Sequence, residues 1–166
     1  PRWVFDTTLP ALDQRAAVTM ERALSIDRPV QLGLRELAAH RQREVRWLGI
    51  RSLTCVGDYE PLLTALNDPD LRSEQWEEHI DLLRAEVVRS PQSAAQIRAV
   101  MERMYGDDGT NLYGMLWKCR SEEIEPAGAR QLVKYLDHEA LVFRRVSFWN
   151  LKALTGMKYK YLPEDN

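Results

Sequence analysis

The stretch LRELAAH at residues 34–40 recurs, in its pattern of apolar and polar residues, as LVKYLDH at residues 132–138. The alignment needs no gap, and the same shift of 98 residues continues through segments 45–56 and 143–154. Large apolar residues fall on large ones there, and small Gly49 falls on small Ser147. Self-similarity at a fixed spacing is typical of repeat architectures. The sequence therefore predicts two copies of one structural unit.

A second comparison, with a shift of 70 residues, places residues 62–68 on the same stretch 132–138. In each copy a short helix ends in a polar turn, and a longer helix follows that is apolar on more than one side. One such pair cannot cover its own apolar surface, so neighbouring pairs must stack on it.

The remaining segments also have helical periodicity, with apolar residues three or four positions apart. Ser90-Pro91 is a typical helix start, because proline is tolerated in a first turn. The glycine and aspartate residues of 106–109 predict a loop. No segment has the sustained alternation expected of a strand. We therefore predict an all-α domain of about seven helices.

The turns carry a family resemblance. In HEAT and armadillo-like helical repeats, a second helix often begins after an Asp-containing turn with a Val-Arg pair, and Val45-Arg46 matches this pattern. The last unit departs from it with Phe143-Arg144, and the middle unit lacks the basic residue. The chain thus resembles this superfamily over residues 29–156. The resemblance implies antiparallel helix pairs stacked as an α-α superhelix and implies nothing about activity; a compact, non-repeating helical bundle is the alternative.

The length of 166 residues fits one domain, 1–166, with core repeats at 29–156 and a tail at 157–166. The chain begins at Pro1 without an initiator Met or a signal-peptide core, so we expect a fragment of a longer protein. No apolar run approaches the roughly 20 residues of a transmembrane helix, and we expect no membrane segment in the fragment. The cytoplasm is the favoured location.

Candidate catalytic groups are few. His40 and His138 occupy equivalent turn positions and are expected to have a structural role. His79 lies among acidic residues but lacks the two-histidine spacing of a zinc protease helix, so a solvated acidic face is expected. Cys55 and Cys119 have apolar neighbours and are expected to be buried free thiols. We predict a protein that is not an enzyme and that needs no cofactor and no metal.

The predicted partner-binding face consists of polar and aromatic side chains on the second helices of the pairs. Arginine and tryptophan are overrepresented among residues that dominate binding energy. Tryptophan is also a large core residue, so packing is the alternative role. The candidate residues are Arg46, Trp47, Arg51, Trp76, Arg144, Arg145, Trp149 and Asn150.

The favoured function is a non-enzymatic scaffold module that binds another protein or a flanking domain of the same chain. The alternative is nucleic-acid binding, because HEAT-like DNA glycosylases for alkylated bases resemble this architecture. Such proteins have a strongly basic concave face, whereas this chain has a net charge of −2, which makes nucleic acid the weaker candidate. A hydrolase or metal-dependent enzyme is a third and least favoured interpretation.

Overall fold

A computed structural model describes residues 10–24, 27, 29–117, 126–157 and 160–165. These residues form nine α-helices, one short 3-10 helix and no strand, so the all-α prediction is confirmed for them, whereas about seven helices was too few. The α-helices are α1 (Ala11–Leu24), α2 (Val30–Ala38), α3 (Arg43–Cys55), α4 (Glu60–Ala65), α5 (Ser73–Arg89), α6 (Pro91–Tyr105), α7 (Asp107–Trp117), α8 (Pro126–Tyr135) and α9 (Leu141–Thr155), and the 3-10 helix is Pro163–Asp165.

The chain divides into two compact units, Pro1–Leu62 and Leu63–Asn166. Unit 1 contains α1, α2 and α3, which pack against one another. Each helix contributes apolar side chains at helical spacing, and their burial removes apolar surface from water. The buried cluster consists of Ala16, Leu34, Leu37, Val45 and Leu53.

The contact between α2 and α3 depends on a residue without a side chain. Gly49 is buried in α3, and a Cβ atom built there would lie 2.5 Å from the backbone nitrogen of Ala38 and 2.7 Å from the carbonyl carbon of Leu37. Such distances are shorter than van der Waals contact, so any larger residue would push the two helices apart. The small residue that the alignment shows at position 49 thus has a direct steric reason.

Unit 2 contains α5 to α9, and its α6–α7 connection is tighter than the predicted loop at 106–109. Only Gly106, with φ +59°, lies between the helices, and Asp107 already begins α7. The two acidic residues of the first turn, Asp107 and Asp108, suit the positive end of a helix dipole. A Cβ on Gly109 would overlap the Met101 carbonyl, so a glycine at this position allows α6 and α7 to pack closely.

Ser90 starts α6 as predicted. Its hydroxyl accepts a hydrogen bond from the Ser93 backbone N–H at 3.1 Å, and Pro91 occupies the first helical position. The cap thereby satisfies one of the N–H groups that a helix start leaves without a partner.

Three helix–helix turns share one hydrogen-bond arrangement. In the α2–α3, α4–α5 and α8–α9 turns, one polar residue donates its backbone N–H to the carbonyl three residues earlier, and its side chain accepts the N–H two residues later. The first bonds are His40 to Leu37 (3.0 Å), Asp68 to Ala65 (3.0 Å) and His138 to Tyr135 (3.2 Å). The second come from Gln42 (3.1 Å), Asp70 (3.0 Å) and Ala140 (3.0 Å).

This arrangement confirms a structural role for the two turn histidines. Each one accepts the hydrogen bond through Nδ1, which must therefore be the unprotonated ring nitrogen. In unit 2 the ring of His138 also stacks on Phe143, with 4.0 Å between the centroids.

Asn67 ties the α4–α5 turn to two other helices of unit 2. Its amide nitrogen donates to the Tyr105 hydroxyl at 2.6 Å, and its side-chain oxygen accepts the Val142 backbone N–H at 3.0 Å. Burial raises the pKa of Tyr105, while the bond from Asn67 acts in the opposite direction. The turn is thus fixed to α6 and to the start of α9.

Candidate interaction surfaces

Arg145, on α9, is the most deeply buried charged side chain among the described residues, with no exposed surface. Its Nη1 donates to the Leu66 carbonyl at 2.9 Å and its Nη2 to the Leu71 carbonyl at 3.1 Å. Glu164 forms an ion pair with it, at 2.9 Å from Nη2. Burial lowers the pKa of Arg145, and Glu164 raises it. These bonds compensate a guanidinium that would otherwise be costly to bury.

The adjacent Arg144 is also buried and holds the start of its own helix. Its Nη1 donates to the carbonyls of His138 and Glu139, at 2.7 and 3.1 Å, in the α8–α9 turn. Its Nε donates to the Pro163 carbonyl at 2.6 Å. Arg144 and Arg145, called here the α9 arginine pair, therefore join two turns of unit 2 to residues 163 and 164.

Segment 160–165 lies over the α9 arginine pair. Besides its bonds to the two arginines, it donates the Tyr161 hydroxyl to the Leu136 carbonyl at 2.6 Å. The Tyr161 ring contacts Phe148, with centroids 5.2 Å apart. Pro163 is buried, whereas Leu162 is 59% exposed. The sequence predicted only an unassigned tail here, and the spacing of tyrosine, proline and glutamate does not by itself indicate this contact.

Two more predicted face residues lie inside unit 2. Trp76 is buried, and its ring contacts Phe148 at 6.3 Å between centroids. Asn150 is buried and donates to the carbonyls of Met115 and Val146, at 3.1 and 2.9 Å. Both side chains join helices within the unit, which is the packing role that the sequence left as an alternative.

Trp149 is partly exposed on the outer side of α9. The Arg84 guanidinium of α5 lies 4.7 Å from its ring centroid, a cation–π distance. Close by in sequence, Lys152 of α9 pairs with Glu77 of α5 at 2.7 Å. One ion pair and one cation–π contact thus connect the side chains of α5 and α9 here.

The predicted face residues of unit 1 are more exposed to solvent than the buried ones of unit 2. Arg51 is exposed, Arg46 and Trp47 are partly exposed, and the Arg51 guanidinium lies 6.0 Å from the Trp47 ring centroid. Arg43 and Arg41 flank them. Within the described ranges, no ion pair or side-chain hydrogen bond engages Arg41, Arg43 or Arg46. We call Arg41, Arg43, Arg46, Trp47 and Arg51 the α3 arginine surface.

The eight predicted residues thus fall into both units. Arg46, Trp47 and Arg51 share α3 in unit 1, and Trp76, Arg144, Arg145, Trp149 and Asn150 belong to unit 2. The partner-binding role stays a prediction for all eight. The sequence prediction omitted Arg41 and Arg43, which the density of four arginines between residues 41 and 51 would have signalled.

Two predictions about the burial of reactive side chains were wrong, although Cys55 is a free thiol as predicted. His79 is buried, not part of a solvated acidic face, because its ring turns inward and bonds to the Gln75 carbonyl one turn earlier. Burial lowers the pKa of His79 to about 4. Cys55 is an exposed free thiol, since it ends α3 on the solvent side; Cys119 lies outside the described residues.

The described part of the chain contains no group of three His, Cys, Asp or Glu side chains placed to hold a metal ion. None of its described helices combines the length and the apolar character required to cross a bilayer.

Comparisons with known proteins give no family assignment. No family model matches the chain, and no curated protein and no solved structure matches it.

Proposed function

We propose that the chain is a non-enzymatic protein-interaction module and that the α3 arginine surface contacts an acidic segment of a partner protein. The observation that carries the proposal is the set of arginines on and beside α3 without a carboxylate partner in the described structure. Some other surface arginines do have such a partner, as at Arg35–Asp58 (2.9 Å) and Arg98–Glu102 (2.7 Å), and no other described helix carries as many unpartnered arginines within so short a stretch as residues 41–51.

The geometry of α3 supports a continuous contact. Arg43, Trp47 and Arg51 follow one another at four-residue spacing, so they lie along one side of the helix. Arginine offers several N–H donors in a planar fork that fits a carboxylate, and tryptophan supplies apolar area beside it. A segment that alternates acidic and apolar side chains would match both features.

A binding experiment with a matched charge control tests the proposal. The probe is a fluorescently labelled decaglutamate peptide, and the chain carries either Arg43→Glu/Arg51→Glu or Arg72→Glu/Arg130→Glu. Both pairs change the net charge by the same amount, and Arg72 and Arg130 are exposed. We expect the α3 variant to bind about tenfold more weakly than wild type, a loss of about 1.4 kcal/mol, and the control to bind like wild type. Equal weakening of both variants would show only a net-charge effect and would contradict the proposal.

Nucleic-acid binding is the second candidate, favoured by the same four arginines beside a tryptophan. Phosphate contacts would make the affinity fall steeply with salt. The net charge of −2 and the burial of Arg144 and Arg145 both argue against an extended basic groove. A labelled 20-base-pair duplex, titrated at low salt in parallel with the peptide, separates the two candidates. Tighter binding of the duplex, lost in the α3 variant, would favour the second.

We further propose that the helix pairs are HEAT-like repeats arranged as an α-α superhelix. Support comes from the common turn of α2–α3, α4–α5 and α8–α9, in which equivalent residues make equivalent hydrogen bonds. Short-range likeness of this kind is expected when successive units descend from one repeat. An experimental structure in which the three pairs stack without a common rotation would contradict this proposal.

A further inference from the structure

We propose that the α9 arginine pair and the α8–α9 turn form a peptide-recognition site, and that segment 160–165 occupies this site as an intramolecular ligand. The external ligand would be an extended segment of a partner protein with the same chemistry: an aromatic residue, then a proline, then a carboxylate. This site is in unit 2 and does not depend on the role proposed for the α3 arginine surface.

The receptor side of the site also has hydrogen bonds that do not involve segment 160–165. Arg145 is oriented by the carbonyls of Leu66 and Leu71, and Arg144 by those of His138 and Glu139. These four acceptors belong to the two turns that precede α5 and α9. The arginines are therefore preorganised, which lowers the entropic cost of binding a ligand.

The N–H groups of Arg144 and Arg145 that do not bond to the turns donate to segment 160–165. The Nε of Arg144 donates to the Pro163 carbonyl at 2.6 Å, and Glu164 Oε1 accepts from Nε and Nη2 of Arg145, at 3.3 and 2.9 Å. Two adjacent guanidinium groups thus bind a main-chain carbonyl, that of Pro163, and the carboxylate of the next residue, Glu164. Such recognition selects an acidic side chain directly after the residue whose carbonyl is bound.

Tyr161 supplies the third point of recognition. Its ring packs on Phe148 while its hydroxyl reaches the Leu136 carbonyl, so the site accepts an aromatic side chain with a polar end. Leu162, between the recognised positions, is largely exposed and contributes little. The segment therefore contacts its site through residues 161, 163 and 164, as a short linear motif would.

Tethering explains why the external ligand must compete. A short linker gives an intramolecular ligand an effective concentration on the order of 1 mM, so an external peptide binds the native chain weakly. Weakening the tethered segment by substitution should make the site available. Tyr161→Ala/Glu164→Gln in the full chain removes two of the three recognised groups and leaves the residues of the receptor unchanged.

The test uses a labelled synthetic peptide with the sequence of residues 158–166, KYKYLPEDN. We expect it to bind the double variant with a Kd roughly tenfold or more below that for wild type. A peptide with Leu162→Ala should bind like the parent peptide, whereas one with Tyr161→Ala/Glu164→Gln should not compete. Circular dichroism and amide hydrogen exchange of the variant establish whether its helices persist.

Four outcomes would overturn the proposal. The variant binds none of the peptides although its helices persist; it loses its helices, which would make segment 160–165 an integral part of unit 2; or the Tyr161→Ala/Glu164→Gln peptide binds as tightly as the parent peptide. A wild-type chain that dimerises with concentration by light scattering, with the dimer lost in the double variant, would assign the site to a second copy and would also overturn the partner-protein ligand.

Discussion

The sequence alignment with a shift of 98 residues pairs helix α3 of unit 1 with helix α9 of unit 2, yet the aligned arginines differ in burial and bonding. Arg46 is partly exposed and has no side-chain partner in the described structure, whereas the equivalent Arg144 is buried and bonds to three carbonyls. The next position is Trp47 in α3 and Arg145 in α9. Arginine at one aligned position is thus solvent-accessible in α3 and buried with hydrogen bonds in α9, and the difference depends on the residues that cover it.

The largest expected difference between the two helices concerns stability. Arg145→Ala would leave two turn carbonyls and the partly exposed Glu164 without their donor, and each buried acceptor left unsatisfied costs about 1–3 kcal/mol. Arg46→Ala, on a partly exposed surface, should change the free energy of unfolding by less than about 0.5 kcal/mol. Urea unfolding followed by circular dichroism measures both, and equal effects would remove the distinction between the helices.

The second difference concerns pH, because unit 2 contains the buried His79. Its pKa, lowered by burial to about 4, lies below the ordinary 6.5, so the unfolded chain binds the proton more tightly. The free energy of unfolding is therefore unaffected by His79 above pH 6.5. It declines as pH falls from 6.5 towards 4, because the unfolded chain takes up a proton that the buried ring does not. The decline amounts to about 3 kcal/mol in total.

Unfolding at pH 7.5 and pH 4.5 tests this. We expect wild type to lose about 2–3 kcal/mol more stability than His79→Gln between these pH values. If the free energy of unfolding of His79→Gln declines as much as that of wild type, other titratable groups cause the decline.

The smallest expected effect concerns the equivalent small residues of the two helices. Gly49→Ala places a Cβ against the backbone of α2, and overpacking of this kind costs about 1–3 kcal/mol. Ser147→Ala loses only the hydroxyl contact to the Met115 sulfur, at 3.3 Å, and should cost less than about 1 kcal/mol. Gly114→Ala, where a Cβ meets nothing within 4 Å, is expected to stabilise α7 by about 0.5–1 kcal/mol. Thermal unfolding ranks the three variants, and a Gly49→Ala chain as stable as wild type would contradict the close approach.

Much of the fold could be predicted because it depends on local chemistry. Ser90-Pro91 starts a helix wherever the pair occurs, and the periodicity of apolar residues is read within a few turns. The prediction of a loop at 106–109 was wrong because a single glycine with positive φ connects the two helices there, and aspartates favour a helix start as well as a loop.

The candidate site was less predictable. An arginine in a helix is compatible with a solvated position, a partner contact or a buried ion pair, and only long-range neighbours distinguish them. Glu164 is 19 residues from Arg145, and Leu66 is 79 residues away. The inward turn of His79 likewise depends on how α5 packs, since its sequence neighbours are mostly acidic.

The sequence by itself determined that the described chain is helical, that Ser90-Pro91 starts a helix, and that one turn recurs at residues 40, 68 and 138. These features rest on interactions between residues a few positions apart. Only the tertiary structure decided which arginines are free and which are held inside. Burial of a charge depends on acceptors brought together from distant parts of the chain. The free-energy cost of burying a guanidinium therefore depends on those acceptors and not on the position of the arginine in the sequence alignment.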